Sequence, residues 1–175
     1  MRLFSEQGFD QTTVEQIAAA AGISGRTFFR YFTGKAEVLW YSFDHEVAAL
    51  RAAFATVPDD EPLMAAVRRV VVNANRYRAE DVPELRTRMR LITTVPALPA
   101  TAGPHYDAWE RAVSDFAASR LSEPADGLIP MAVGRTTLAA ARAAFDAWLT
   151  RADADLTVYL DQALAALERG FAPAR

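Results

Sequence analysis

The sequence predicts an all-α chain of about nine helices, with a small three-helix head followed by a larger helical body. Three observations carry that prediction. Apolar residues recur at helical spacing along nearly all of the 175 residues, whereas strand-length alternation of Val, Ile and Thr is absent. Gly, Pro and Asp clusters interrupt that spacing at intervals suited to helices. Hydrophobic residues make up 51% of the chain and charged residues 23%, enough to bury a sizeable core.

The first helix is already under way at residue 1, where Leu3 and Phe4 supply an apolar face before Gly8, so a helix begun upstream is expected. A second covers residues 12–21, with Thr12 and Glu15 as a capping box ahead of Val14, Ile17 and Ala18. Gly22 turns the chain. Ser24 caps a third helix running through residue 32, and Thr33 and Gly34 open a fourth that continues to residue 56. VPDDEP at 57–62 breaks the pattern, and a fifth helix follows to residue 79. Its VRRVVVNAN run is the one place where a strand competes, and the longer spacing of Leu63, Val67, Val70, Val71 and Ala74 favours helix. A sixth helix spans 82–95. VPALPATAGP at 95–104, with three prolines and a glycine, is the clearest loop. The seventh, eighth and ninth helices span 105–122, 128–151 and 155–171. These lengths divide the chain into a head, 1–45, and a body, 46–175, with the boundary inside the fourth helix. Such a connection is rigid, so a shape change in the body moves the head.

Composition narrows the chemistry. The chain carries no cysteine, which removes disulfides, thiolate catalysis and Cys-based metal sites. Its two histidines, His45 and His105, have no nucleophile and orienting acid at recognisable spacing, and there is no Gly-rich phosphate loop or His/carboxylate metal motif. The reading is therefore a protein that is not an enzyme, with no catalytic residue, no metal and no cofactor. No apolar run has the roughly 18 residues of a membrane span, and the start lacks a signal-peptide core, so a cytoplasmic protein without a membrane partner is expected. The net charge is −3, so any nucleic-acid binding must come from local placement of charge.

One stretch supplies it. Residues 23–35, ISGRTFFRYFTGK, hold three basic and four aromatic residues and no carboxylate. At about 100° per residue, Arg26, Thr27, Arg30 and Tyr31 fall in one polar arc and Phe28, Phe29 and Phe32 on the remaining side. A capped helix, a Gly-containing turn and a second short helix with a basic, hydroxyl-bearing face form a helix-turn-helix, the arrangement whose second helix enters the DNA major groove. Arg26 and Arg30 suit guanine edges or phosphates, and Thr27 and Tyr31 suit phosphate oxygens or a thymine methyl. Lys35, placed in the first turn of the fourth helix, adds charge where free backbone N–H groups favour a phosphate.

Residues 3–39, LFSEQGFDQTTVEQIAAAAGISGRTFFRYFTGKAEVL, resemble the N-terminal DNA-binding domain of the TetR family of transcriptional regulators. The likeness runs through the Leu-Phe and Gly-Phe pairs, Thr-Thr-Val, Ile-Ala, Ala-Gly-Ile-Ser, and Tyr-Phe followed by Lys35. It implies that Thr12 or Thr13 holds phosphate, that Ser24, Gly25, Arg26, Thr27, Arg30 and Tyr31 belong to the recognition helix, and that Lys35 contacts phosphate. Two positions depart from the family pattern. Phe29 stands where Tyr is usual, which removes a phenolic phosphate contact, and Arg26 stands where many members have Gly.

The resemblance further implies a body that senses a small molecule and dimerises through its last two helices. Residues argued for the pocket, each with core packing as its ordinary explanation, are Met64, Val67, Val71, Met89, Ile92, Tyr106, Trp109, Val113 and Phe116. Arg86 and Arg90, one turn apart, would give such a cavity a cationic mouth suited to an anionic amphiphile. For the dimer interface the apolar spacing offers Leu138, Phe145 and Trp148 in the eighth helix and Tyr159, Leu160, Ala163, Leu164 and Leu167 in the ninth, all equally suited to internal core. RMRLITTVPALPA and YDAWERAVSDFAASRL also look similar to mycofactocin-associated or acyl-CoA-responsive TetR members. The expected function is a homodimeric, ligand-responsive repressor, released from a double-stranded DNA operator by an apolar or amphiphilic effector such as an acyl-CoA. The competing expectation is a helical lipid-binding or protein-interaction module that keeps the head fold without operator binding.

Overall fold

The protein is described from a computed structural model covering residues 1–151 and 155–171; residues 152–154 and 172–175, part of the predicted body, lie outside the described residues. Every regular element among the described residues is helical: α1 (Arg2–Gln7), α2 (Val14–Ala20), α3 (Gly25–Tyr31), α4 (Glu37–Phe54), α5 (Leu63–Ala74), α6 (Val82–Thr94), α7 (Gly103–Leu121), α8 (Leu128–Leu149) and α9 (Leu156–Glu168). Packing groups them into two units, Met1–Asp44 with Arg78–His105, and His45–Tyr77 with Tyr106 onward. The division crosses α4 between Asp44 and His45.

In the first unit Phe4, Phe9, Leu39 and Leu98 form a buried cluster, and Ile17, Leu91 and Val95 close around it. Burying a side chain of this size contributes roughly 1.5–3 kcal/mol, so a head of short helices depends on such anchors. Two of them come from far along the chain. Leu91 lies on α6, and Leu98 belongs to the stretch expected as a loop, which instead holds a 3₁₀ turn, Pro99–Thr101. Trp40 of α4 donates its indole N–H to Thr101 Oγ1 at 3.0 Å, tying that turn to the same unit. The packing unit around the head thus includes α6, which follows the head by some way in sequence.

Several helix ends differ from the periodicity by one to a few residues, and three of them show a local reason. α3 stops at Tyr31 because Phe32 is extended (φ −132, ψ 136). α4 begins at Glu37 instead of Thr33; the Thr33 hydroxyl donates to the Glu37 carboxylate at 2.8 Å across the intervening turn. α5 ends at Ala74, where Asn75 turns its side-chain amide back onto the Val71 carbonyl at 2.9 Å and takes over the helix end.

In the second unit α9 packs on α8 and on α5 through Leu156, Leu160 and Leu164. Arg68 of α5 grips Asp161 of α9 with two hydrogen bonds of 2.7 Å. α7 and α8 approach so closely at Gly134 that a Cβ there would sit 2.7 Å from the Glu110 carbonyl oxygen and run into Ser114 Oγ. Only glycine allows that approach.

Candidate nucleic-acid interface

The α2–turn–α3 segment is built from local signals. Thr13 is the N-cap of α2, its hydroxyl accepting from the Gln16 N–H while the Gln16 side chain accepts from the Thr13 N–H. The expected capping box is therefore present one residue later than Thr12 and Glu15 suggest. Gly22 makes the turn in the left-handed region (φ +68), where L side chains are strained. Ser24 caps α3 by accepting from the Thr27 N–H at 3.1 Å, and the two hydroxyls lie 3.0 Å apart.

α3 is held to the head by one ring. Phe28 is 1% exposed and lies against Phe32, whose ring centroid is 5.1 Å away. The opposite side carries Arg26 and Arg30, both exposed, with Thr27 half-buried beside its cap and Gly25 half-buried at the first turn. Arg30 donates to the Tyr31 hydroxyl at 3.0 Å and its guanidinium lies over that ring, 4.8 Å from the centroid. Among the described residues no carboxylate pairs with Arg26 or Arg30. Phe29 corrects the sequence reading: it does not share the packed side with Phe28 but stands 58% exposed, as does Tyr31 at 65%. The heptapeptide turns only one aromatic inward, since Phe28 alone points at the head core.

Two expected phosphate contacts are also corrected. Thr12 is fully buried and donates its hydroxyl to the Gly8 carbonyl at 2.7 Å, so it cannot reach a phosphate. Thr13 remains exposed. Lys35 precedes α4 and donates to the carbonyls of Phe9 (2.7 Å), Thr12 (2.9 Å) and Asp10 (3.1 Å), with Nζ 4.5 Å from the Phe9 ring centroid. An ammonium has three protons, and all three are occupied. Lys35 staples the α1–α2 connection rather than offering charge outward.

This head geometry accompanies a match along most of the chain. Residues 1–40 match the bacterial regulatory proteins of the tetR family, and residues 61–172 match the MftR C-terminal domain. The chain belongs to the TetR family of transcriptional regulators. It is 31% identical over 166 residues to the mycofactocin biosynthesis transcriptional regulator MftR of Mycobacterium tuberculosis (strain ATCC 25618 / H37Rv), covering 95% of this chain and 82% of that one. To the HTH-type transcriptional regulator TcmR of Streptomyces glaucescens it is 32% identical over 163 residues, covering 89% and 72%. Two solved structures share the fold. Thermus thermophilus FadR, a TetR-family repressor in complex with lauroyl-CoA, superposes with a TM-score of 0.66 at 21% identity, over 100% of this chain and 92% of that one. The TetR-family regulator PfmR, also from Thermus thermophilus, gives 0.58 at 19%, over 98% and 96%.

The residues predicted for this TetR member's pocket are spread over both units. Arg86, Met89, Arg90 and Ile92 belong to the first unit; Met64, Val67, Val71, Tyr106, Trp109, Val113 and Phe116 belong to the second. Val67, Val71 and Val113 have no exposure at all, and Phe116 stacks on Phe54 at 4.5 Å, so these are core side chains. Ile92 and Trp109 are buried too, Met64 and Met89 half-buried. Tyr106 is half-buried under the Arg142 guanidinium, and its burial raises the phenol above its ordinary range. A recess of about 370 Å³ does open beside α7 and α8, lined by Asp107, Glu110, Arg111, Ser114, Met131 and Arg135 among others, and none of the predicted pocket residues lines it. On α6, Arg90 is exposed and Arg86 half-buried, while the arginine that spacing does not single out, Arg88, is buried and donates to Ser42 of α4. His105 is equally inconspicuous in the sequence. It is buried, stacked on Trp40 at 4.8 Å, with Nδ1 2.8 Å from Asp44. Partners lying dozens of residues apart leave no local signal.

Half of the predicted dimer residues are corrected as well. Leu138, Trp148, Leu160 and Leu164 are between 0% and 7% exposed within a single chain, consumed by the α5, α8 and α9 packing. Phe145, Tyr159, Ala163 and Leu167 stay half-buried. The large apolar residues of these helices that stand exposed among the described residues are Leu128, Ile129 and Val158, which the periodicity does not mark.

Proposed function

We propose that this TetR-family regulator is a cytoplasmic homodimeric repressor that lays α3 of each copy in the major groove of an operator half-site and leaves the DNA when an acyl-CoA-like amphiphile binds. The single observation that carries the DNA part is the outward face of α3, where Arg26 and Arg30 have no carboxylate partner among the described residues in an otherwise acidic chain. One such helix reads too few base pairs alone, and a two-fold dimer matches two half-sites. The half-buried Phe145, Tyr159, Ala163 and Leu167, with the exposed Val158, are among the side chains that α8 and α9 leave for that contact. The effector class is supported by the shared fold with FadR, a repressor solved with lauroyl-CoA. An effector that prefers a DNA-incompetent state shifts the population toward it.

Selection of bound sequences from a random duplex pool, repeated with lauroyl-CoA as the probe, tests the reading. The expected outcome is a two-fold symmetric site whose affinity falls steeply with salt and falls again with the thioester present. Retention of no duplex overturns the DNA reading and favours the lipid-binding or protein-interaction module. A selected site indifferent to saturating lauroyl-CoA overturns the effector.

A further inference from the structure

Phe29 is the one exposed side chain of α3 that can neither donate nor accept a hydrogen bond. Around the helix, at about 100° per residue, it lies about 60° from Arg26 and about 100° from Arg30, while Thr27 occupies the other flank of the two arginines. It cannot fold inward, because Phe28 fills the inward direction and meets the Phe29 ring edge-on at 5.5 Å. An apolar ring therefore stands beside two guanidinium groups on the face offered to DNA. The usual partners of such a face are phosphate oxygens and the donors and acceptors of base edges, none of which gains from a phenyl group. The apolar feature of the major groove is the C5-methyl group of thymine. We infer that Phe29 is a specificity-determining residue that packs on a thymine methyl in each half-site, next to the base or phosphate engaged by Arg26. This rests on the reading of α3 as the DNA-reading helix.

The test uses the full-length protein and the duplex selected from the random pool, with each thymine replaced in turn by deoxyuridine. That change deletes the methyl and leaves every hydrogen-bonding edge intact. Losing one methyl contact is expected to weaken binding about fourfold per half-site, and more when both half-sites are changed. Phe29→Ala should lose affinity for the thymine duplex, become indifferent to uracil at that one position, and keep the wild-type urea midpoint because the ring is exposed. Its log-affinity against log-salt slope should also stay unchanged, since no phosphate contact is removed. Wild-type protein indifferent to uracil at every thymine, a selected site without an invariant thymine, or equal uracil sensitivity in Phe29→Ala each overturns the inference while the DNA reading stands. If the wild type retains no duplex, the DNA reading falls first and this inference with it.

Discussion

α5 and α3 each carry two arginines, and they dispose of them in opposite ways. On α5, Arg68 donates to Asp161 and Glu168 of α9, and Arg69 makes two bonds of 2.8 and 2.6 Å to Glu61. On α3, Arg26 pairs with no carboxylate among the described residues and Arg30 reaches only the neighbouring phenol. Arginine alone therefore indicates nothing about nucleic acid. Its meaning lies in whether the fold supplies an anion, and here it supplies one to both arginines of α5 and to neither arginine of α3 among the described residues. A guanidinium without an internal partner keeps all its fork geometry for an external phosphate or guanine.

The largest effect expected from this contrast is on operator binding. Each arginine that engages a base edge is worth about 1–3 kcal/mol per half-site. Arg26→Ala combined with Arg30→Ala should therefore weaken binding to the selected duplex by about a thousandfold or more, with the urea midpoint unchanged. Fluorescence anisotropy on the selected duplex checks it. A double variant that binds within tenfold of wild type would erase the distinction between the two helices.

Why α3 can be found in the sequence, and Lys35 cannot be understood there, has a physical basis. Ser24, Gly22 and the Thr13–Gln16 box act over two or three residues, so the α2–turn–α3 unit is written locally. The partners of Lys35 lie 23 to 26 residues upstream, and periodicity carries no information at that range. Burial is legible and its purpose is not. Val67, Val113, Leu160 and Leu164 all show helical apolar spacing, but spacing cannot tell whether a face meets another helix, a second copy or a ligand. Phe29 falls on the wrong side of the sequence reading because consecutive aromatic and basic positions offer two nearly equal arcs, and only the position of the head core decides between them.

Lys35 gives the next effect in size and sharpens the contrast from a third side, as a basic group that looks free in the sequence but is occupied. Lys35→Met should destabilise the protein by about 2 kcal/mol, since charge-assisted bonds to partly buried carbonyls are lost. Urea unfolding measures that. The salt slope of operator binding should not change, whereas a true phosphate contact would lower it by roughly one per half-site.

Arg68 should matter less, and in a pH-dependent way. The Arg68 hydrogen bonds hold the Asp161 carboxyl below the usual carboxylate range, although the Asp161 side chain is 47% exposed and that of Arg68 34%. Solvent screening therefore limits the pair to about 1 kcal/mol. A depressed folded-state value means that the stabilisation is present above the ordinary carboxylate range and is lost as pH falls through the folded value. Arg68→Met should lower the urea midpoint at pH 7, and the difference from wild type should shrink below about pH 4. Operator affinity measured well below the unfolding range should be unaffected.

The smallest effect belongs to Arg69. Its bond to Glu61 holds that carboxyl low, yet the arginine is half in solvent, where water replaces the partner with little loss. The 57–62 segment also has a second anchor, for Arg120 of α7 donates to the carbonyls of Pro58 (2.7 Å) and Asp59 (2.8 Å) and to that of Glu61. Backbone carbonyls do not titrate, and one guanidinium gathers three of them, so Arg120 holds the segment whether or not Arg69 is present. Arg69→Gln should leave the urea midpoint unchanged within error at pH 7, and Arg120→Met should lower it. Equal losses in the two variants would mean that the exposed pair fixes the segment after all, and that even the bonded arginines of α5 are not alike.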